Sequence, residues 1–168
     1  LISSNWGGTP AEIWTPEEVI ENNEVLLESA KTRREESYGP NQPGRAFNAM
    51  IYPLTNFKIA GVIWYQGESN VGSPVYDKTF SALITSWRKL WNTDFPFYYV
   101  QIAPYKYGEN HFGGAVIRDA QRKVLQEVPN TGMAITSDIS PIDDIHPKDK
   151  KSVGTRLANL ALFNTYKT

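Results

Sequence analysis

Residues 59–70 read IAGVIWYQGESN, and this stretch decides the fold because an apolar run passes directly into a polar, glycine-containing turn. The run Ile59–Tyr65 predicts a buried strand. A second strand is predicted over Pro96–Ala103, which is rich in aromatic and β-branched residues. Between them, apolar side chains recur at the spacing of one helix face, and these are Tyr76, Phe80, Leu83, Ile84, Trp87, Leu90 and Trp91. A strand, a helix and a second strand in this order favour a parallel sheet.

Further elements extend this pattern in both directions. Thr15-Pro16-Glu17-Glu18 offers a capping threonine and a proline at the first helical position, so we predict a helix from here toward Glu36. Pro147 predicts the start of the last helix. The remaining predictions are a strand end at residues 1–4, a short helical piece at 46–52, a helix with an inward face over 116–128 and a strand at 133–136. This β-α-β-α-β-α-β-α order predicts one α/β domain over residues 1–168, with a mostly parallel sheet covered by helices on both faces.

Composition excludes several classes of function. The chain carries 17 Lys and Arg against 18 Asp and Glu without a basic stripe, so we expect no nucleic-acid partner. No apolar run approaches the roughly 18 residues that a membrane helix needs, so we expect no membrane segment. The chain has no cysteine, which excludes disulfides, thiolate metal ligands and a cysteine nucleophile.

The loops that leave the carboxyl ends of the strands are where chemistry is expected, because ligands of parallel α/β sheets bind beyond those ends. The loops are residues 5–9, residues 66–70, the segment after Ala103, and residues 138–147. We therefore expect all four of them on one rim of the sheet.

His146 is the first candidate for proton transfer, since it is one of two histidines and lies in a polar loop with acidic neighbours. Asp143 and Asp144 lie three and two residues before it, so either carboxylate could orient the imidazole. Glu68, in the turn after the strand at 59–65, is a second possible orienting carboxylate. Turn formation and helix capping are the structural alternatives for these aspartates. His111, in a loop rich in glycine and asparagine, is the less favoured histidine.

Hydrogen-bond donors for a developing oxyanion are predicted in two of the loops. Gly7 and Gly8 would expose backbone N–H groups where no side chain blocks approach, and Gln66 or Asn70 could add an amide donor. A tight turn is the alternative explanation for the paired glycines.

Three segments together resemble the sialate O-acetylesterase family, which is related to acetylxylan esterases with the same Gln-Gly-Glu motif. They are Ile63–Asn70, Ala49–Leu54 before it, and Asp144-Ile145-His146-Pro147 after it. In addition, Ser3–Thr9 resembles the second conserved block of SGNH hydrolases. The resemblance implies a flavodoxin-like three-layer α/β/α fold, removal of acetyl groups from an acetylated glycan, no metal or organic cofactor, and a location outside the cytoplasm.

Carried onto this sequence, the resemblance also implies roles for the candidate residues. His146 would be the general base, and Glu68 or Asp143 would orient it. Gly7 or Gly8, together with Gln66 or Asn70, would line the oxyanion hole.

One part of the family pattern has no counterpart in residues 1–168. The family's nucleophile lies in a Gly-Gln-Ser-Asn-like motif after the first strand, and Ser3, Ser4 and Ser69 do not fit that position. We therefore expect the first strand to be missing from this chain, with its place between residues 1–4 and residues 59–65. The serine would come from an N-terminal fragment or a second chain, and residues 1–168 alone would be inactive.

Two other functions remain open on the sequence alone. An inactive carbohydrate-binding or assembly module of the same fold would explain the missing serine. A lipase-like SGNH hydrolase is the second alternative, although the aromatic and polar loops suit a sugar better than an acyl chain.

Overall fold

A computed structural model describes residues 1–33, 37–108 and 112–168. Its sheet has three parallel strands, β1 (Val62–Trp64), β2 (Phe97–Val100) and β3 (Thr131–Ala134), in the order β1-β2-β3. Val62 pairs with Phe97, and Phe97 pairs in turn with Thr131. The parallel sheet confirms the predicted α/β class.

Five α-helices accompany the sheet in the described ranges: α1 (Glu17–Glu21), α2 (Glu24–Lys31), α3 (Tyr76–Trp91), α4 (Gly113–Glu127) and α5 (Lys150–Ala161). Shorter 3₁₀ turns lie at Ala11–Trp14, Tyr52–Leu54 and Glu68–Asn70, and π-helical turns at Phe47–Ile51 and Leu162–Tyr166. The helical piece predicted at 46–52 is thereby confirmed.

Successive side chains of β2 contact helices on opposite faces of the sheet, which gives a helix-sheet-helix arrangement of three layers. On one face, the Phe80 ring of α3 lies 5.0 Å from the Tyr99 ring, and the Tyr99 hydroxyl donates to the Gln121 carbonyl of α4 at 2.7 Å. On the other face, the Tyr98 hydroxyl contacts the Thr165 hydroxyl, just beyond α5, at 2.8 Å. Successive strand residues point to opposite faces, so β2 holds helices on both sides of the sheet.

The helix predicted from its apolar spacing is confirmed. α3 runs from Tyr76 to Trp91 and buries Tyr76, Phe80, Leu83, Ile84 and Trp87. Asn92 ends it with a φ of 48°, a conformation that asparagine tolerates better than most residues. The Tyr76 hydroxyl, on the first residue of α3, donates to the Gln66 carbonyl at 3.3 Å and so ties the helix to the turn at residues 66–70.

The strand predictions at the start of the chain and at 59–65 need correction. Residues 1–4 form no strand, and Leu1 and Ile2 are exposed. β1 is shorter than predicted and Ile63 is 63% exposed, because β1 pairs only with β2 in the described part of the chain. β1 is therefore an edge strand in this structure, and a groove separates it from residues 1–4.

The first predicted helix differs from prediction in its cap and in its continuity. The Thr15 hydroxyl donates to the Ala11 carbonyl at 3.0 Å instead of capping a helix. The helical region breaks after α1, because the Asn23 side chain accepts from the amides of Val25 and Leu26 and starts α2 anew. Glu36, where the helix was expected to finish, lies outside the described residues.

At the other end of the chain, α5 begins after Asp149 rather than at Pro147. The Asp149 carboxylate accepts the Ser152 amide at 3.0 Å and so supplies the cap. In the described ranges, no helix is both long and apolar enough to cross a membrane, and no cluster of three or more potential metal-ligating side chains is found.

Candidate active site

A cavity of about 490 Å³ opens at the carboxyl end of β1 and collects most of the predicted site residues. It contains the imidazole candidate His146, the carboxylate of Glu68 and the glycine pair Gly7-Gly8. The full lining is Trp6, Gly7, Gly8, Thr9, Tyr38, Tyr65, Gln66, Glu68, Ser69, Ile145, His146 and Lys150. Three loops far apart in sequence therefore meet at one edge of the sheet, as the rule for parallel sheets predicts.

The glycine loop is held by its own hydrogen bonds. The Thr9 hydroxyl donates to the Trp6 carbonyl at 2.7 Å, and the Trp6 indole donates to the Tyr38 carbonyl at 3.1 Å. Gly8 has a φ of +74°, which side-chain-bearing residues rarely adopt, whereas a Cβ on Gly7 would meet no atom within 4 Å. The turn explanation and the donor explanation for these glycines are therefore compatible.

The Gln-Gly-Glu turn depends on Gly67. Its φ is +152°, and a Cβ there would lie 2.7 Å from Cγ2 of Ile102, a fully buried side chain. The turn passes into the 3₁₀ segment Glu68–Asn70 and brings the Glu68 carboxyl to the cavity.

Burial raises the pKa of Glu68, because desolvation disfavours its charged form. A backbone hydrogen bond and the proximity of His146 and Lys150 lower this pKa in part. Glu68 and the His146 imidazole share no hydrogen bond within the described ranges, and such bonds often tighten only when substrate is present.

Lys150 is a cavity residue that the sequence analysis missed. Its Nζ lies 4.8 Å from the centroid of the Tyr65 ring. Burial, and secondarily the charge of Glu68, raises the pKa of Tyr65 to about 12, so this hydroxyl stays neutral at physiological pH. The available signal was the position of Lys150 four residues after His146, at the start of the last helix.

The two aspartates before His146 have different surroundings. Asp144 accepts the backbone N–H of His146 at 2.8 Å, so its carboxylate shapes the turn instead of reaching the imidazole. Asp143 is exposed and does not line the cavity. The base of this loop is fixed by Arg156, which pairs with Asp138 and donates to the Ile135 carbonyl.

The predicted amide donors point inward. Gln66 Nε2 donates to the Thr9 carbonyl at 3.0 Å and to Asn70 Oδ1 at 2.7 Å, and Asn70 Nδ2 donates to Glu12 Oε2 at 2.8 Å. Gln66 lines the cavity, whereas Asn70 is fully buried behind it. Of the two histidines, His111 lies outside the described residues.

A second groove, also about 490 Å³, lies between residues 1–7 and β1. Ser3, Ser4, Ile63 and Trp64 are among its lining residues, and Ser4 donates its hydroxyl to the Met50 carbonyl at 3.2 Å. Ser69 instead lines the cavity that holds His146. The groove follows the free edge of β1, where the sequence analysis expected a missing strand.

Chemically, the cavity combines an imidazole, a desolvated carboxyl and the backbone of the Gly7-Gly8 pair. This set can move a proton and stabilise negative charge on a carbonyl oxygen.

Comparison with known proteins gives consistent matches. The model of the carbohydrate esterase family described as sialic acid-specific acetylesterase matches residues 1–162. The sialate O-acetylesterases of Pongo abelii and Homo sapiens are each 35% identical over 177 residues, covering 94% of this chain and 34% of theirs. A crystal structure of a carbohydrate acetylesterase from Xanthomonas citri superposes with a TM-score of 0.82 at 35% identity, covering 98% of this chain and 36% of that one.

The chain thus spans about a third of the length of these relatives. The match supports the predicted SGNH-type α/β fold together with the predicted family. The chain belongs to the sialic acid-specific acetylesterase family of carbohydrate esterases.

Proposed function

We propose that residues 1–168 form the larger part of a catalytic domain that hydrolyses O-acetyl esters on carbohydrates, with O-acetylated sialic acid as the preferred substrate class. The observation that carries the proposal is the convergence of His146, Glu68 and the Gly7-Gly8 pair on one cavity. The family membership of the chain and the names of its relatives support the choice of an acetylated sugar.

In the proposed mechanism, His146 removes the proton from a serine hydroxyl as its oxygen attacks the acetyl carbonyl. Backbone N–H groups of the glycine loop stabilise the tetrahedral oxyanion. Protonated His146 then donates its proton to the departing sugar oxygen, which leaves an acetyl-serine. A water molecule, deprotonated by the same imidazole, releases acetate and restores the serine.

We propose that this serine belongs to a segment outside residues 1–168, either an N-terminal fragment or a second chain. The free edge of β1 and the groove beside it support this idea, since a strand placed there would pair with β1 and cover Ile63. Its carboxyl end would then lie on the same rim as His146.

Acetate release by the full-length protein tests the proposal directly. We expect release from O-acetylated sialic acid and from p-nitrophenyl acetate, measured by coupled acetate detection and by absorbance. The rival binding module would retain the acetylated sugar in calorimetry without releasing acetate. Acetylated xylan as an equal or better substrate would contradict the preference for sialic acid while leaving the esterase intact.

Separate replacements should identify the carboxylate that orients His146. We expect Glu68→Gln to lower kcat severely, by about 100-fold or more, because its carboxyl lies in the cavity and is influenced by His146. Asp143→Asn, at an exposed position outside the lining, should cause only a mild loss. Equal mild losses would mean that neither residue orients the base.

Stability provides an independent readout for Glu68. Its folded-state pKa is raised, so its contribution to stability is present below the unfolded pKa and is lost as pH rises through the folded pKa. Glu68→Gln should therefore unfold at a higher temperature than the wild type at neutral pH, and the difference should close below pH 4. A variant that is less stable at neutral pH would contradict the assigned burial penalty.

A further inference from the structure

A buried chain of hydrogen bonds ties the glycine loop to the Gln-Gly-Glu turn. Glu12 is fully buried, and its Oε2 accepts Asn70 Nδ2 at 2.8 Å. Asn70 Oδ1 accepts both the Ala11 amide at 2.8 Å and Gln66 Nε2 at 2.7 Å. Gln66 Nε2 also reaches the carbonyl of Thr9, the residue after Gly8, at 3.0 Å.

This arrangement clamps the turn at both of its ends. Gln66 and Asn70 flank Glu68, and both are bonded to the segment that follows the glycine pair. The oxygen of the Gln66 side-chain amide, Oε1, accepts a hydrogen bond from the Tyr76 hydroxyl at 3.0 Å. Glu68 therefore projects from a turn whose two ends are fixed relative to Gly8.

Glu12 ends this series of hydrogen bonds. Burial of its carboxylate carries a large desolvation cost. Among the residues that the structure describes, its ion-pair partner is Arg33, with Nε 4.0 Å from Oε1. Within the described ranges, Oε1 accepts no hydrogen bond. An apolar side chain at position 12 would avoid this desolvation cost but would leave Asn70 Nδ2 without its acceptor. The need to hold the Asn70 amide in place therefore explains the buried carboxylate.

We infer that Glu12 is a positioning residue: through Asn70 and Gln66 it sets the placement of Glu68 relative to the glycine-loop donors. The inference rests on the proposed esterase function. Glu12 does not line the cavity, so it acts only through the residues it holds.

The test compares Glu12→Ala and Glu12→Gln in the full-length protein. Alanine removes the acceptor of Asn70, and we expect kcat to fall about 10- to 100-fold with KM nearly unchanged, since small misplacement of catalytic groups is costly. Glutamine keeps an oxygen at this position and should stay within about threefold of the wild type. A fall in Glu12→Gln as large as that in Glu12→Ala would overturn the inference.

Arg88→Ala is the matched control for stability. Arg88 is buried and donates to the carbonyls of Phe95, Pro129 and Asn130. These residues precede β2 and β3, so Arg88 acts at the amino ends of the strands, away from the cavity at their carboxyl ends. Its loss should lower the unfolding temperature while kcat stays unchanged at temperatures where circular dichroism shows all variants folded. Equal kcat losses in Arg88→Ala and Glu12→Ala would reduce Glu12 to a structural role and overturn the inference.

Hydrogen exchange separates this inference from the proposed function. We expect Glu12→Ala, but not Arg88→Ala, to increase amide exchange selectively over residues 66–71. A wild-type protein without acetate release would contradict the proposed function, and the exchange pattern would then decide the positioning role alone. Unchanged exchange over these residues in Glu12→Ala would overturn it.

Discussion

His146→Ala in the full-length protein should lower kcat/KM for acetate release by about 1,000-fold or more, the usual scale for a general base paired with a nucleophile. The expectation follows from the shared cavity, where no other histidine of the described residues is available to take the serine proton. Folding should be preserved, because His146 is exposed and holds its turn through its backbone N–H. The rate of ester hydrolysis is measured by absorbance with p-nitrophenyl acetate and by coupled acetate detection with an acetylated sugar.

His111→Ala is the control for this variant, since it removes the other histidine of the chain. We expect it to retain activity near that of the wild type. Acetate release by His146→Ala at the wild-type rate would remove the proposed mechanism.

Gly67→Ala should cause the largest loss of stability among single methyl additions to the site. The new Cβ would approach Cγ2 of Ile102 to 2.7 Å and Cγ2 of Ile117 to 3.2 Å, and both side chains are fully buried. The backbone would also have to keep a φ of +152°, which alanine rarely adopts. Strain and overpacking together should lower the free energy of unfolding by about 2–5 kcal/mol. Activity should be lost as well, because Glu68 follows Gly67 directly.

Gly7→Ala separates this effect from a general intolerance of the site. A Cβ at Gly7 meets no atom within 4 Å, so urea unfolding should give nearly the wild-type midpoint. A Gly67→Ala protein as stable as Gly7→Ala would contradict the described turn.

The sequence predicted best where a periodic pattern coincided with a complete set of neighbours. α3 was predicted correctly because most of its apolar stripe is buried in the core, where Phe80 contacts the Tyr99 ring of β2. The shared rim could also be anticipated, since the topology of a parallel sheet brings the strand ends together whatever the side chains are.

Predictions were wrong where a local bond or a missing neighbour outweighed the pattern. Asn23 starts a new helix where the start signal at residues 15–18 predicted one continuous helix, and Asp149 rather than Pro147 caps α5. The 59–65 run was predicted as buried from its apolar composition, but β1 pairs only with β2 among the described residues, so Ile63 is exposed. Glu12 could not be found, since its role depends on contact with a residue 58 positions away.

The unpaired edge of β1 also affects the tendency of the polypeptide to self-associate. Unpaired N–H and C=O groups along an edge strand form a template for any extended chain, including a second copy of the same protein. Strand recruitment for catalysis and self-association would therefore compete for the same three residues, and higher protein concentration would favour the second.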